Sequence, residues 1–137
     1  MPPQTPHPLG YIHSFSKTEQ QRLVRQGVFL EPYVFPSIDY SACRQVLEVG
    51  CGVGAQIAVL LRRWPTLIVT GVDRAEVQLN HAREFLKSAI AAGRVQLSRG
   101  EGTRLPFPDH RFDGAFVCWV LEHAGDPVGI LKEIKRV

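Results

Sequence analysis

The stretch Val46-Leu47-Glu48-Val49-Gly50-Cys51-Gly52-Val53-Gly54-Ala55 constrains the fold more than any other part of the chain. A buried strand runs straight into a turn with three glycines in five positions, and a helix follows. Glycine weakens a helix start, so its repetition here has to be repaid by positive φ angles or by a close approach to the backbone. A strand, a tight turn and a helix form the first half of a right-handed crossover, which places the next strand parallel to the first. In an open parallel sheet that turn lies at the crevice where ligands bind. The glycines alone leave the ligand open. Gly50, Gly52 and Ala55 also satisfy the dinucleotide pattern G-x-G-x-x-G/A, and a tight turn without a ligand is the bland alternative.

Downstream, strands and helices alternate, which defines an α/β protein with a doubly wound parallel sheet. Strands are expected at 45–49, 67–72, 95–97 and 112–118, with apolar runs suited to burial on both faces. A helix from about Gly54 ends at Arg63, before Trp64-Pro65. A second spans about Ala75 to Ala92, with Leu79, Ala82, Leu86, Ala89 and Ile90 at helical spacing and Gly93 as its stop. A third begins at Asp126-Pro127, with Leu131, Ile134 and Val137 toward the sheet.

Residues 1–44 read as an N-terminal helical arm and residues 45–137 as the ligand-binding domain. Four prolines in the first ten residues impose irregular backbone. Ser16-Lys17-Thr18-Glu19 is a capping box that opens a helix running to about Gln26, before Gly27, with Pro32 and Pro36 breaking the chain into a linker.

With 137 residues the chain is long enough for one domain that buries about two-thirds of its unfolded surface. Its formal charge of +3 is scattered, with no basic block to follow a phosphate backbone, so nucleic acid is not indicated. Cys43, Cys51 and Cys118 have neither metal-ligand nor disulfide spacing and sit among apolar residues, which favours reduced thiols and a cytoplasmic setting. No apolar run reaches the ~20 residues of a membrane span.

The second strand closes on Gly71-Val72-Asp73, about twenty residues after the glycine loop. A carboxylate there accepts from two vicinal hydroxyls at once and suits a ribose. The competing reading makes Asp73 the N-cap of the next helix, and the two are compatible.

Three blocks in order now resemble the class I S-adenosylmethionine-dependent methyltransferases, nearest the small-molecule branch of the ubiquinone and menaquinone methyltransferases. They are the segment from Val46 to Gly54, then Gly71-Val72-Asp73, then Gly100-Glu101-Gly102-Thr103-Arg104-Leu105-Pro106-Phe107-Pro108-Asp109 leading through Phe112-Asp113 to Val120-Leu121-Glu122-His123. The third block and Glu48 are not part of the nicotinamide dehydrogenase fingerprint.

The resemblance implies a Rossmann-like sheet and S-adenosyl-L-methionine as cofactor, with a small molecule as methyl acceptor. By position, the loop from Glu48 through Gly50, Cys51 and Gly52 to Gly54 would hold the methionine moiety. Asp73 would hold the ribose, Glu101 the adenine amine and the Gly102 N–H a ring nitrogen. Cys118 and Trp119 would lie beside the sulfonium. The family usually has aspartate where Glu101 stands and an apolar residue where Arg74 stands, so either the stem of Arg74 would take over the adenine stack or the stack would be lost. Gly102 replaces a common alanine. The segment from Gly10 to Ser16 resembles an N-terminal lid in which Tyr11 and Gln26 close over the cofactor; a plain surface helix is the alternative. His123 is the nearest candidate base for an acceptor that loses a proton, against a structural hydrogen-bonding role.

The same resemblance implies a sheet in the order 3-2-1-4, incomplete beside the seven strands of the family, with an apolar edge on strand four open to self-association. A truncated methyltransferase carrying the cofactor half is therefore expected. The rival readings are a non-catalytic nucleoside-binding or sheet-completing module and an NAD-dependent oxidoreductase.

Overall fold

A computed structural model describes residues 16–137. Its elements are α1 (Lys17–Val34), β1 (Gln45–Val49), α2 (Ala55–Arg63), β2 (Ile68–Asp73), α3 (Glu76–Phe85), α4 (Lys87–Ala91), β3 (Val95–Arg99), β4 (Gly114–Val117) and α5 (Pro127–Arg136), with a 3-10 turn at Leu121–His123. The four strands form one sheet in the order β3-β2-β1-β4, parallel throughout. The α/β class is the one read from the alternation of strands and helices, and the strand order is the one the family resemblance implies.

Alternation along β1 divides the core. Val46 joins Ile57, Leu60, Val69, Leu79 and Phe116 in one cluster, while Leu47 and Val49 join Val72, Leu105, Ile130 and Val137 in the other. Side chains two apart share a face of a strand. Glu48 therefore points the same way as Val46, toward the face that carries Ile57 and Cys51. Asp113 fixes the start of the central strand, its carboxylate accepting the N–H groups of Arg44 and Gln45 at 2.9 Å from its nearest oxygen in each case.

Four details depart from the sequence reading. Helix α1 does not stop before Gly27 but continues through Pro32 to Val34. Gly27 is buried against Ala55, where a Cβ would stand 3.0 Å from the alanine methyl, so the missing side chain brings α1 onto the start of α2. The carboxylate of Glu31 then receives both Arg62 and Arg63, and Phe35 is fully buried just past the helix end. Packing at both ends of the last two turns outweighs the helix-breaking tendency of Pro32. The helix expected from Ala75 to Ala92 divides at Leu86, which leaves helical geometry (φ −103°, ψ 13°) while its side chain stays buried beside Gly54. In α5 the sheet-facing set is Ile130, Ile134 and Val137, and Leu131 is 48% exposed; 130, 134 and 137 follow the i, i+4, i+7 spacing of one helix face more closely. Strand β4 begins at Gly114, because Phe112 and Asp113 are spent on an edge-on contact with Phe107 and on the Asp113 clamp.

The Leu-Pro-Phe-Pro-Asp block is held by one side chain. The Arg136 guanidinium donates to the carbonyls of Leu105 and Phe107 and to the carboxylates of Asp109 and Glu133. Glu133 also accepts the Leu105 N–H at 2.8 Å. The Arg136 hydrogen bonds and then the Leu105 N–H lower the Glu133 carboxyl from 4.5 to about 2. A carboxyl depressed in the folded state adds stability above its unfolded pKa, and that contribution is lost as pH falls through the folded value. Thermal stability is thus expected to fall as pH is lowered from about 4.5 to 2, with Glu133→Gln melting lower at pH 7 and responding less to acid across that window. Melting curves from pH 7 to 2 on both proteins check this; parallel curves would remove Glu133 from the account.

Candidate functional site

The C-terminal ends of β1, β2 and β4 open into a cavity of about 260 Å³. The glycine loop forms its floor, and α1 covers one side with Leu23, Gln26, Gly27 and Leu30. Twelve of the residues singled out from the sequence line it: Gln26, Glu48, Gly50, Cys51, Gly52, Asp73, Arg74, Glu101, Gly102, Cys118, Trp119 and His123. Gly54 stands outside the wall. Its φ is +84° and a Cβ there would run into Leu86, so its bare backbone serves the packing of α2 on the segment after α3. Tyr11, and with it the lid segment up to Phe15, lies outside the described residues.

Four of the loop's backbone donors are spent inside the protein. Gly50 and Cys51 both donate to the Val72 carbonyl, at 2.7 and 3.0 Å, and Gly54 donates to Cys51 at 2.9 Å. Gly52 donates to the Asp73 carboxylate at 2.8 Å. The other Asp73 oxygen accepts the Ala75 N–H at 2.9 Å. Ala75, not Asp73, is the N-cap residue of α3, and Asp73 braces both the glycine loop and the turn into that helix. Each carboxylate oxygen keeps a further lone-pair direction for another donor.

Two glycines of the loop differ in what surrounds them. Gly50, at φ +73°, lies under Val120, whose methyl would collide with a Cβ. Gly52, at φ +53°, has nothing within 4 Å of where its Cβ would be. The hollow begins at Gly52.

Glu48 is 3% exposed, and its Oε2 meets no hydrogen-bond partner among the described residues. Burial first, and then the charge of Asp73, raise its carboxyl well above the usual range. Burial likewise raises Asp73, opposed by the N–H groups of Ala75 and Gly52. The Cys51 thiol is pushed well up by burial and the Cys118 thiol to about 11, so neither is a thiolate at neutral pH.

At the β3 side Gly100, Glu101 and Gly102 complete the wall, with Glu101 exposed and its main-chain carbonyl accepting the Arg104 N–H at 3.0 Å. At the β4 side stand Cys118, Trp119, Val120, His123 and Ala124. The His123 ring lies 3.7 Å from the Glu122 carboxylate. Leu30 and Ile130 also line the cavity and escaped the sequence reading. Ending α1 at Gln26 removed Leu30 by one turn, and the one-residue phase error in α5 turned Ile130 away. Among the described residues no group of three or more His, Cys, Asp or Glu side chains is placed to hold a metal ion, and no helix is long and apolar enough to cross a membrane.

A 3-2-1-4 parallel sheet with a glycine turn after its central strand and a carboxylate at the neighbouring strand's end is the Rossmann-like architecture of S-adenosylmethionine-dependent methyltransferases. Residues 47–137 match the methyltransferase domain family, and the chain belongs to it. It is 31% identical over 129 residues to an O-methyltransferase, resE, of Aspergillus sclerotiorum, covering 94% of this chain and 48% of that protein. It is 33% identical over 93 residues to cycloartenol-C-24-methyltransferase 1 of Oryza sativa subsp. japonica, covering 68% of this chain and 27% of the other. The chain thus spans between about a quarter and a half of the length of these curated relatives. A crystal structure of an S-adenosylmethionine-dependent methyltransferase from Aquifex aeolicus superposes with a TM-score of 0.73 at 24% identity, covering 90% of this chain and 68% of that one, which establishes the shared fold.

Proposed function

We propose that the cavity binds S-adenosylmethionine and that the protein transfers its methyl group to a small apolar molecule. The observation that carries this reading is the balance of donors and acceptors at the glycine loop. The N–H groups of Gly50, Cys51, Gly52 and Gly54 are committed within the protein, while the carboxyl groups of Glu48 and Asp73 line the cavity as acceptors. Two acidic side chains at this place suit a ligand with vicinal hydroxyls and positive charge. Gly52 leaves room where a side chain would intrude, and the unsatisfied Glu48 oxygen awaits a donor.

In this reading Asp73 takes the ribose hydroxyls, Glu101 and Gly102 meet the adenine with the Arg74 stem stacked on it, and the loop from Glu48 to Gly52 holds the methionine end. Bound there, the cofactor supplies a methyl group already activated by a sulfonium. The protein's task is to hold the acceptor in line and keep water away. Adjacent strands lie about 4.8 Å apart, so the ends of β2 and β4, on opposite sides of β1, are about 10 Å apart. A ribose at β2 and a methionine chain over β1 direct the methyl toward β4, where Cys118 and Trp119 stand.

The relatives act on sterols or methylate oxygen, as their names state, which supports a hydrophobic small-molecule acceptor. The likeness of the third sequence block to the quinone methyltransferases makes a quinol the finer form of that reading. Strand β4 is the outer strand of the sheet among the described residues, and pairing of its edge with a further strand, including that of a second copy, goes with it as the partner reading.

The test is isothermal titration of the 137-residue chain with S-adenosylhomocysteine. Absence of heat would end the claim of an autonomous site. Gly52→Ala should weaken binding at least tenfold, because the methyl projects into the hollow, while costing only about 1–2 kcal/mol of stability for its left-handed backbone. Unchanged affinity in this variant would place the ligand elsewhere.

A further inference from the structure

We infer that Trp119 is the platform of an acceptor subsite, its exposed indole face stacking a neutral, planar, apolar acceptor beside the transferred methyl. The inference rests on the cofactor reading above and adds the acceptor's chemistry to it.

Trp119 adopts φ +59°, in the left-handed region, directly after β4. For a bulky L-residue that conformation costs about 1–2 kcal/mol. The turn itself is needed, since it lays Val120 over Gly50. Glycine or asparagine would make the same turn at lower cost. What requires explanation is tryptophan at this position, because the fold gains little from it: the residue is 61% exposed. The other non-glycine residue with positive φ among the described residues, His110, sits in a surface turn with its N–H held by the Arg136 carbonyl, away from the cavity. Among the described residues, a left-handed backbone and a large exposed apolar ring coincide only at Trp119, on the cavity wall.

The surroundings select the acceptor. The lining residues of formal charge, Glu48, Asp73, Arg74 and Glu101, come from β1, β2 and the segments after β2 and β3. The segment after β4 supplies Trp119, Val120, His123 and Ala124, and α1 supplies Leu23 and Leu30. Among the described residues, the cavity lining at this end includes no carboxylate, lysine or arginine, and the acid nearest His123, Glu122, stands 3.7 Å from its ring. An indole face, aliphatic walls and one imidazole fit a flat neutral molecule with a hydroxyl.

The experiment titrates the chain, saturated with S-adenosylhomocysteine, with 2-naphthol, with the cationic 2-naphthyltrimethylammonium and with the non-planar alcohol borneol. The native chain should bind 2-naphthol at least tenfold more tightly than either of the others. Trp119→Gly should weaken 2-naphthol at least tenfold, weaken S-adenosylhomocysteine by much less than that, and melt no lower than the native protein, since the substitution relieves the backbone. Trp119→Phe should fall between the two. Equal 2-naphthol binding in native and Trp119→Gly, no 2-naphthol binding by the loaded native chain, or a preference for the cationic probe each overturns the subsite while leaving the cofactor reading intact. A larger loss for S-adenosylhomocysteine than for 2-naphthol would reassign Trp119 to the cofactor. If S-adenosylhomocysteine itself does not bind, the cofactor reading falls first and takes the subsite with it.

Discussion

Asp73→Ala is expected to weaken S-adenosylhomocysteine binding by two to three orders of magnitude, the largest loss of affinity for any single side chain in the cavity. Two effects add. In the proposed pose the carboxylate accepts two ribose hydroxyls, and hydrogen bonds to a charged group contribute about 1.5–3 kcal/mol each. At 1.4 kcal/mol per factor of ten, the pair alone corresponds to about a hundredfold or more. The second effect acts through the loop. The carboxylate holds the Gly52 N–H at 2.8 Å and the Ala75 N–H at 2.9 Å, so its removal releases both the glycine turn and the start of α3. Asp73→Asn separates the two effects only in part. Its carbonyl can accept one of those N–H groups, but its amide then turns a donor toward the other. Asparagine should therefore recover less than a tenth of the lost affinity. Titration of all three proteins with S-adenosylhomocysteine decides the matter, and an Asp73→Ala protein that binds within fivefold of native would move the ribose away from β2.

Most of the sheet was legible because its signals are local. Each strand is an apolar run bounded by glycine, proline or a charged residue, and parallel order follows from the crossovers. The glycine loop and Asp73 were legible for the same reason: one segment of sequence carries each. What escaped needed partners distant in the chain. The passage of α1 through Gly27 and Pro32 depends on Ala55, Arg62 and Arg63, which no reading of residues 17–34 contains. Leu30 became a wall of the cavity only through that extension. The division at Leu86 depends on burial beside Gly54, about thirty residues earlier. The sequence offers Asp73 both as ribose ligand and as helix cap. The structure gives it a third, bracing role toward Gly52, visible only once β1 and β2 lie in register. The Leu-Pro-Phe-Pro-Asp block, which carried much of the family resemblance, is tied down by Arg136 through main-chain carbonyls and contributes no residue to the cavity wall. A strong sequence marker of the family is here a feature of its scaffold.

Gly50→Ala should lower stability by about 2–4 kcal/mol, from about 1–2 for the left-handed backbone and about 1–3 for overpacking. For a chain of this size that corresponds to a fall in melting temperature of about 10 °C. The overpacking has one identifiable source, the Val120 methyl that lies over the glycine. Val120→Ala alone should destabilise by less, since the residue is only half-buried. Combined with Gly50→Ala it should recover the steric part and leave the conformational part, so the double variant should be less destabilised than the sum of the singles by about 1 kcal/mol or more. Gly52→Ala is the internal control. Both glycines have positive φ, +73° at Gly50 and +53° at Gly52, but the Gly52 Cβ position is open. The difference in stability between the two alanine variants therefore measures the contact with Val120, while their difference in affinity measures access to the hollow. Gly50→Ala should lose more stability and Gly52→Ala more affinity relative to its stability loss. Chemical denaturation of the four variants, with titration of those that remain folded, reads both quantities. If the Gly50 and Gly52 variants lost stability equally, or if the double variant were strictly additive, Val120 would not be the element that closes the loop from above, and the end of β4 would be free to move independently of the glycine turn.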